Sequence, residues 1–221
     1  MRRISKKQRF EALIRYFQDA MPEAETELEY TDPYQLIVAV ILSAQCTDKR
    51  VNLITPGFFK RFPEADSLAQ ASQEEVFELI KSCSYPNNKS KHLIGMARTL
   101  VNEFNRTVPA DVEQLQRLPG VGRKSANVIA SVIYKIPVMP VDTHVFRVSA
   151  RIGLTSNART PLQAELQLVK NFPESLISKA HHWLILHGRY TCTARKPDCP
   201  RCGLRDICRY YSSNKLYVDN Q

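Results

Sequence analysis

Four cysteines lie within 17 residues near the C-terminal end, and no other feature constrains the folding of this chain as strongly. Cys192, Cys199, Cys202 and Cys208 follow the spacing C-x6-C-x2-C-x5-C. Four thiols that close together point to a bound metal. Zinc knuckles usually come as two separated Cys-x2-Cys pairs, each a tight turn. This stretch has one such pair inside longer loops, a layout that suits a larger object, a [4Fe–4S] cube held by four thiolates. The spacing favours iron–sulfur and leaves zinc open. Either metal would force residues 192–208 to wrap around it and staple a small C-terminal subdomain. Nothing in the spacing requires redox chemistry. The first inter-cysteine loop, TARKPD, carries Arg195 and Lys196. Two cations on a metal-stiffened loop could contact phosphate, or could simply be a solvated loop tip.

The rest of the chain has helical spacing. There are only seven glycines, and the thirteen prolines fall mostly between apolar segments. Asp32-Pro33-Tyr34-Gln35 predicts a helix start: Asp32 caps, Pro33 takes the first helical position and Gln35 forms a capping-box-like pair. The following QLIVAVILSAQ is apolar nearly all round, so a buried strand competes with a buried helix, and length with the start signal favours the helix. Further helices are expected over Gln73–Ser82 and Lys89–Phe104. Ala126, Ile129, Ala130 and Ile133 share one helical face. Pro137 and Pro140 predict an extended crossing, after which Asp142 caps THVFRVSARI. Pro173 precedes ESLISKAHHWLILH, which Gly188 is expected to end in the left-handed conformation. No alternating strand pattern appears, so the fold class is all-α.

The charge balance is 31 Lys and Arg against 22 Asp and Glu, a net +9. That excess suits a polyanion, with nucleic acid the obvious candidate. The basic opening MRRISKKQRF is not followed by an apolar signal segment, and no run reaches the roughly 18 residues of a membrane span. A cytoplasmic protein with no membrane contact is expected. Its six cysteines should then be reduced. Cys46 and Cys83, on or near apolar helices, are expected to be buried inert thiols.

LQRLPGVGRKSANVI, residues 115–129, is a short helix, a Pro-Gly-Val-Gly turn and a second helix. This is a helix–hairpin–helix pattern. Gly120, Val121, Gly122 and Arg123 bring backbone amides and a helix N-terminus to one place, a site for a single phosphate. Lys124 lies in the first turn of the second helix. It could be a solvated cation near DNA, or an amine nucleophile. A free lysine has a pKa near 10.4, so holding it neutral at pH 7.5 costs about 4 kcal/mol. Lysine is the usual choice when a sugar carbon must become a Schiff base. Asp142 reads as a helix N-cap, as a carboxylate that stabilises a cationic sugar transition state, or as both.

Taken together, these pieces resemble the endonuclease III family of DNA glycosylase/AP lyases. The matching segments are LSAQCTD (42–48), LPGVGRKSANV (118–128), VDTHVFRV (141–148), HHWLILHGRYTC (181–192) and the cysteine tail. They occur in the family's order and spacing, from about residue 8 to 210. The resemblance implies two all-α domains with DNA in the cleft between them. Residues 24–137 would form a six-helix barrel ending in the hairpin. Residues 1–23 and 138–221 would form the iron–sulfur domain. Lys124 matches the nucleophilic lysine, Asp142 the catalytic aspartate, and Gln45 the residue that fills the hole left by an extruded base. A [4Fe–4S] cluster on Cys192, Cys199, Cys202 and Cys208 is implied. So is a monomer acting on double-stranded DNA with damaged pyrimidines or abasic sites.

One departure stands out. Family members commonly read like GLYNSKA where this chain has SYPNNKS (84–90). Tyr85 takes the position of the wedge, usually leucine, that presses on the base opposite the lesion. An aromatic ring can still stack there. Two alternatives remain at this level. An adenine glycosylase relative would carry Glu where this chain has Val40 and a non-lysine at 124, and would need a further C-terminal domain. A non-catalytic DNA-binding module, stapled by iron–sulfur or zinc, would have no reason to keep both Lys124 and Asp142.

Overall fold

The computed structural model describes residues 4–213. Its helices run α1 (Lys6–Ala20), α2 (Pro33–Ser43), α3 (Asp48–Arg61), α4 (Ala65–Ala69), α5 (Gln73–Ile80) and α6 (Pro86–Glu103). They continue with α7 (Val112–Gln116), α8 (Arg123–Tyr134), α9 (Thr143–Ile152), α10 (Pro161–Val169), α11 (Ile177–Tyr190) and α12 (Arg209–Ser213). There is no strand among the described residues, as the all-α expectation requires. Nor is any of these helices long and apolar enough to cross a membrane. The chain divides into two compact units, residues 26–136, and residues 1–25 with 137–221.

In the 26–136 unit, α2 is the buried element: Tyr34 and every residue from Leu36 to Leu42 are out of solvent. The competition between strand and helix is decided at its start. Asp32 accepts from the Gln35 amide at 2.9 Å and Pro33 takes N1. The reciprocal bond expected of Gln35 is displaced by one residue: its Oε1 accepts from the Thr31 amide, at 3.1 Å. Helices α3, α6 and α8 pack around α2, while α4 and α5 pack on α6. The Tyr34 hydroxyl donates to the Phe62 carbonyl at 3.2 Å and ties α2 to the end of α3. Helix α6 begins three residues before the expected Lys89, because Tyr85 adopts a left-handed conformation (φ 56°) and Pro86 then fits N1.

The other unit joins the beginning of the chain to its end. Ser5 and Gln8 form a capping box that starts α1. Phe10, Leu13 and Phe17 then fall on one buried face. Phe17 stacks on Trp183 of α11 at 5.7 Å, and the indole N–H donates to the Met21 carbonyl at 2.9 Å. Both rings are fully buried; a buried Phe stabilises by about 1.5–3 kcal/mol. Helix α9 packs on α10, α11 and α12, with Val145, Val148 and Ile152 in the same core. Gly188 does not end α11 as expected. It lies inside the helix, which runs on to Tyr190 and is capped by Thr191 at φ −115°. A Cβ on Gly188 would stand 2.9 Å from His144 Cβ and 3.1 Å from Val148, so this glycine serves close helix packing.

Candidate functional site

The hairpin forms as the sequence predicts: α7, a turn, then α8. Gly120 has φ +83°, and a Cβ there would lie 2.9 Å from His92 Cβ on α6. Both facts require glycine. Gly122 differs. It is the N-cap of α8 with ordinary extended angles (φ −84°, ψ 176°), and nothing lies within 4 Å of where its Cβ would be. Nothing inside the protein explains that glycine; open space in front of the helix N-terminus does. Val121 is buried and anchors the turn, its amide donating to the Leu118 carbonyl at 3.0 Å. Gly122, Arg123 and Lys124 are exposed. The α8 amides at this end carry partial positive charge, which suits an approaching anion.

Two other turns of the same unit are held together. Gln45 is exposed on the turn after α2 and has φ +54°; Tyr85 is 61% exposed at the start of α6. A left-handed conformation is uncommon outside glycine. Both therefore mark backbone that surrounding contacts hold in place. Lys89 supplies one such contact. It is 4% exposed, and its Nζ donates to the Leu42 carbonyl at 2.7 Å, bridging α6 to the last turn of α2. Burial lowers its pKa, and the nearby Cys83 and Cys46 act in the opposite direction. The sequence reading missed this lysine. Its signal was position: Lys89, Leu93, Met96 and Leu100 share one helical stripe, and the last three are core. A lysine on that stripe must find a buried acceptor.

In the other unit, Asp142 caps α9, its Oδ1 accepting from the Val145 amide at 2.8 Å. The capping role is real, and the half-buried carboxylate keeps a second oxygen. His181 of α11 meets the segment just before this cap, its Nδ1 lying 2.9 Å from the Pro140 carbonyl.

Cys192, Cys199, Cys202 and Cys208 line one pocket, open in part to solvent. Cys199 is buried and the other three are half-buried. Burial pushes the Cys202 thiol up to about 11, and the other three cysteines add to the effect; Cys208 is raised as well, again mainly by burial. Four thiols gathered in a low-dielectric pocket need a compensating positive charge before they can all ionise. Among the described residues, no three metal-binding side chains converge tightly enough to hold a single ion. An all-sulfur set around a shared space, with no tight three-ligand site, fits a multi-iron cluster better than one tetrahedral zinc.

Two arginines of α9, also missed in the sequence, shape this loop. Arg147 donates to the carbonyls of Cys192 (3.2 Å) and Gly188 (2.8 Å). Arg151 donates to those of Thr193 (2.7 Å) and Ala194 (2.8 Å), and its Nη1 lies 3.5 Å from Cys192 Sγ. Its guanidinium stacks 4.8 Å over the Tyr210 ring. His187 Nε2 stands 3.7 Å from Cys202 Sγ, and burial lowers its pKa to about 4. Arg195 and Lys196 are exposed at the loop tip, and the Lys196 carbonyl accepts from the Thr193 hydroxyl at 2.7 Å.

Comparison with known proteins points one way. Residues 38–174 match the model of the HhH-GPD superfamily base excision DNA repair proteins, and residues 192–208 that of the iron–sulfur binding domain of endonuclease III. The chain is 42% identical over 201 residues to endonuclease III of Rickettsia felis, covering 91% of this chain and 94% of the relative. It is 39% identical over 207 residues to endonuclease III of Escherichia coli, covering 94% and 97%. Among solved structures it resembles a trapped endonuclease III–DNA covalent intermediate, with TM-score 0.90, 37% identity and coverage of 96% and 99%. A non-covalent endonuclease III–DNA complex gives TM-score 0.91, 36% identity and coverage of 97% and 100%.

Proposed function

The chain belongs to the endonuclease III family of base excision DNA repair proteins, and from that premise we propose that it excises oxidised pyrimidines through a Schiff base on Lys124. It is a bifunctional DNA glycosylase and AP lyase that binds DNA, acts on damaged bases and carries a [4Fe–4S] cluster.

The observation that carries the residue assignment is the position of Lys124. It is an exposed lysine in the first turn of α8, directly behind a turn whose second glycine leaves open space. The Gly120 to Gly122 turn would hold a backbone phosphate and set the register of the strand relative to the amine. Val121 anchors the turn from within, and Arg123 adds a cation beside it. The damaged nucleotide would be extruded from the stack, at a cost of a few kcal/mol that is smallest for a poorly stacked lesion. Gln45 would fill the vacated space. Tyr85, in place of leucine, would stack against the opposite base. Arg195 and Lys196 would contact the backbone from the cysteine loop.

The Lys124 amine attacks C1′, and the bond from C1′ to the base breaks as the base leaves. Asp142 stabilises the positive charge that develops on the sugar. Opening of the sugar ring gives an iminium at C1′, which acidifies the C2′ protons. Loss of one C2′ proton expels the 3′ phosphate oxygen and breaks the strand. Water then hydrolyses the imine and frees Lys124. We assign the cluster's ligands to Cys192, Cys199, Cys202 and Cys208. Bound there, it supplies a rigid, charge-compensated core for the loop, with Arg147 and Arg151 fixing the loop's carbonyls.

Borohydride trapping on a duplex with one thymine glycol tests the whole reading. Reduction converts a Schiff base to a stable amine, so a covalent protein–DNA band is expected. Base loss without an adduct would overturn Lys124 as nucleophile. Neither base loss nor an adduct, with cleavage of an abasic duplex retained, would overturn the pyrimidine assignment.

A further inference from the structure

Helix α2 ends with a carbonyl that its own chain does not serve. Gln45 turns the backbone out of the helix at φ +54°. The Cys46 amide, which a continuing helix would give to the Leu42 carbonyl, donates instead to the Ser43 carbonyl at 3.0 Å. The same turn leaves Cys46 partly open to solvent, where burial was expected, while Cys83 is buried. The last carbonyls of a helix need partners from outside it, and Leu42 is fully buried. A buried carbonyl left unpaired is costly. Its partner comes from 47 positions away: the Lys89 Nζ, which donates to it at 2.7 Å. A cation placed there also faces the negative end of the α2 dipole.

Lys89 holds the second turn as well. Its amide donates to the Tyr85 carbonyl at 3.1 Å. Tyr85 is the N-cap of α6, left-handed at φ 56° and ψ 48°, with no side-chain capping bond of its own. Further along the same stripe Leu93 and Met96 are fully buried, so α6 is a fixed support. One residue thus fixes the carbonyl of Tyr85 with its backbone, and that of Leu42, three positions before Gln45, with its side chain. We propose that Lys89 is a positioning residue: it sets the spacing between the Gln45 and Tyr85 turns, and that spacing gives the enzyme a preference for duplex over single-stranded substrate. The proposal rests on the roles given above to Gln45 and Tyr85.

On a duplex the two exposed side chains act at one base pair. Gln45 enters the space that the extruded nucleotide leaves, and Tyr85 stacks on the base that has lost its partner. Bases follow one another every 3.4 Å or so along a strand, so a slip of one turn against the other by a fraction of that step spoils one of the two contacts. Without the Lys89 ammonium the last turn of α2 is free to rearrange around its unpaired carbonyl, and the Gln45 turn moves with it. A single strand has neither a vacated stack nor an opposite base, and so asks nothing of this spacing. The hairpin and Lys124 meet it in the same way whether or not the two turns are in register.

Lys89→Met keeps the reach of the side chain and removes the donor. The full-length, cluster-bearing protein is assayed for single-turnover cleavage of an abasic site in a duplex and of the same strand alone, at subsaturating protein. Partial misfolding lowers both rates alike, so their ratio reads the placement of the turns and not the number of active molecules. The duplex rate should fall about tenfold while the single-strand rate stays within about twofold. Equal falls in both rates, or no fall in either, overturn the positioning role. Gln45→Ala and Tyr85→Ala, measured alongside, keep the two layers apart. A wild-type ratio in both of them would sink the roles given to those side chains; a wild-type ratio in Lys89→Met alone would sink only the part given to Lys89. Should Lys89→Met fail to fold, Lys89→Gln, with its shorter donor, should lose part of the duplex preference, and a wild-type ratio there overturns the proposal.

Discussion

The two glycines of the hairpin should fail in opposite ways. At Gly120, alanine meets a left-handed φ of +83° and a Cβ contact of 2.9 Å to His92. The conformation costs about 1–2 kcal/mol and the overpacking about 1–3 kcal/mol. At about 2–4 °C per kcal/mol for a chain of this size, the transition should fall by roughly 5–15 °C. At Gly122, alanine keeps its angles and meets nothing within 4 Å. It is a poorer N-cap than glycine by a few tenths of a kcal/mol but restricts the unfolded chain by a similar amount, so stability should stay within about 1 kcal/mol. The added methyl stands where a phosphate would approach the amides. Gly122→Ala should therefore weaken binding about tenfold or more, near 1.4 kcal/mol. Thermal unfolding by circular dichroism and fluorescence anisotropy with an abasic-analogue duplex, at one fixed salt concentration, would measure both. If Gly122→Ala melts as early as Gly120→Ala, or binds like wild type, the division of labour between the glycines is wrong.

Lys124→Gln should abolish strand cleavage and borohydride trapping while leaving most DNA affinity, since one charge is a small share of the contacts; retained lyase activity in a gel assay would refute the assignment. Asp142→Asn keeps an equally good cap for the Val145 amide, so its melting temperature should hold while single-turnover excision slows at least about a hundredfold. A fall in stability with an unchanged rate would leave Asp142 a cap alone. Burial, with Asp32 and Glu64 nearby, raises the Tyr34 phenol well above its ordinary 10.0. The folded state then keeps a proton that the unfolded state releases, so stability falls as pH rises past about 10. Tyr34→Phe should cost about 1 kcal/mol at neutral pH, through its lost bond to Phe62, and should flatten that alkaline decline in melting temperature. An unchanged slope would mean the decline arises elsewhere.

What the sequence reveals here is local. The start of α2, the hairpin and the Asp142 cap each rest on bonds made within four residues, so residue type and spacing were enough. The cysteines were legible because the shortness of their loops leaves few other uses for four thiols. Gly188 was misread because a glycine near a helix end usually breaks it; its actual reason, the His144 side chain, lies 44 positions away. Lys89, Arg147 and Arg151 escaped notice for the same cause. Each is an ordinary cation until the carbonyl that it meets is known, and those carbonyls come from distant segments.

The seating of Phe17 against Trp183 carries a consequence for biosynthesis. The first helix described is made early, yet the surface that covers its apolar face is made near the end. At about 5–20 residues per second, translation of the intervening stretch takes roughly 10–30 s. Once residue 136 has been made, the 26–136 unit has all of its own residues, while Phe10, Leu13 and Phe17 still have none of their α11 partners. The nascent chain thus waits with a sticky leading segment tethered to a completed domain. Variants that soften α1, such as Phe17→Ala, should aggregate on the ribosome less while yielding less native protein.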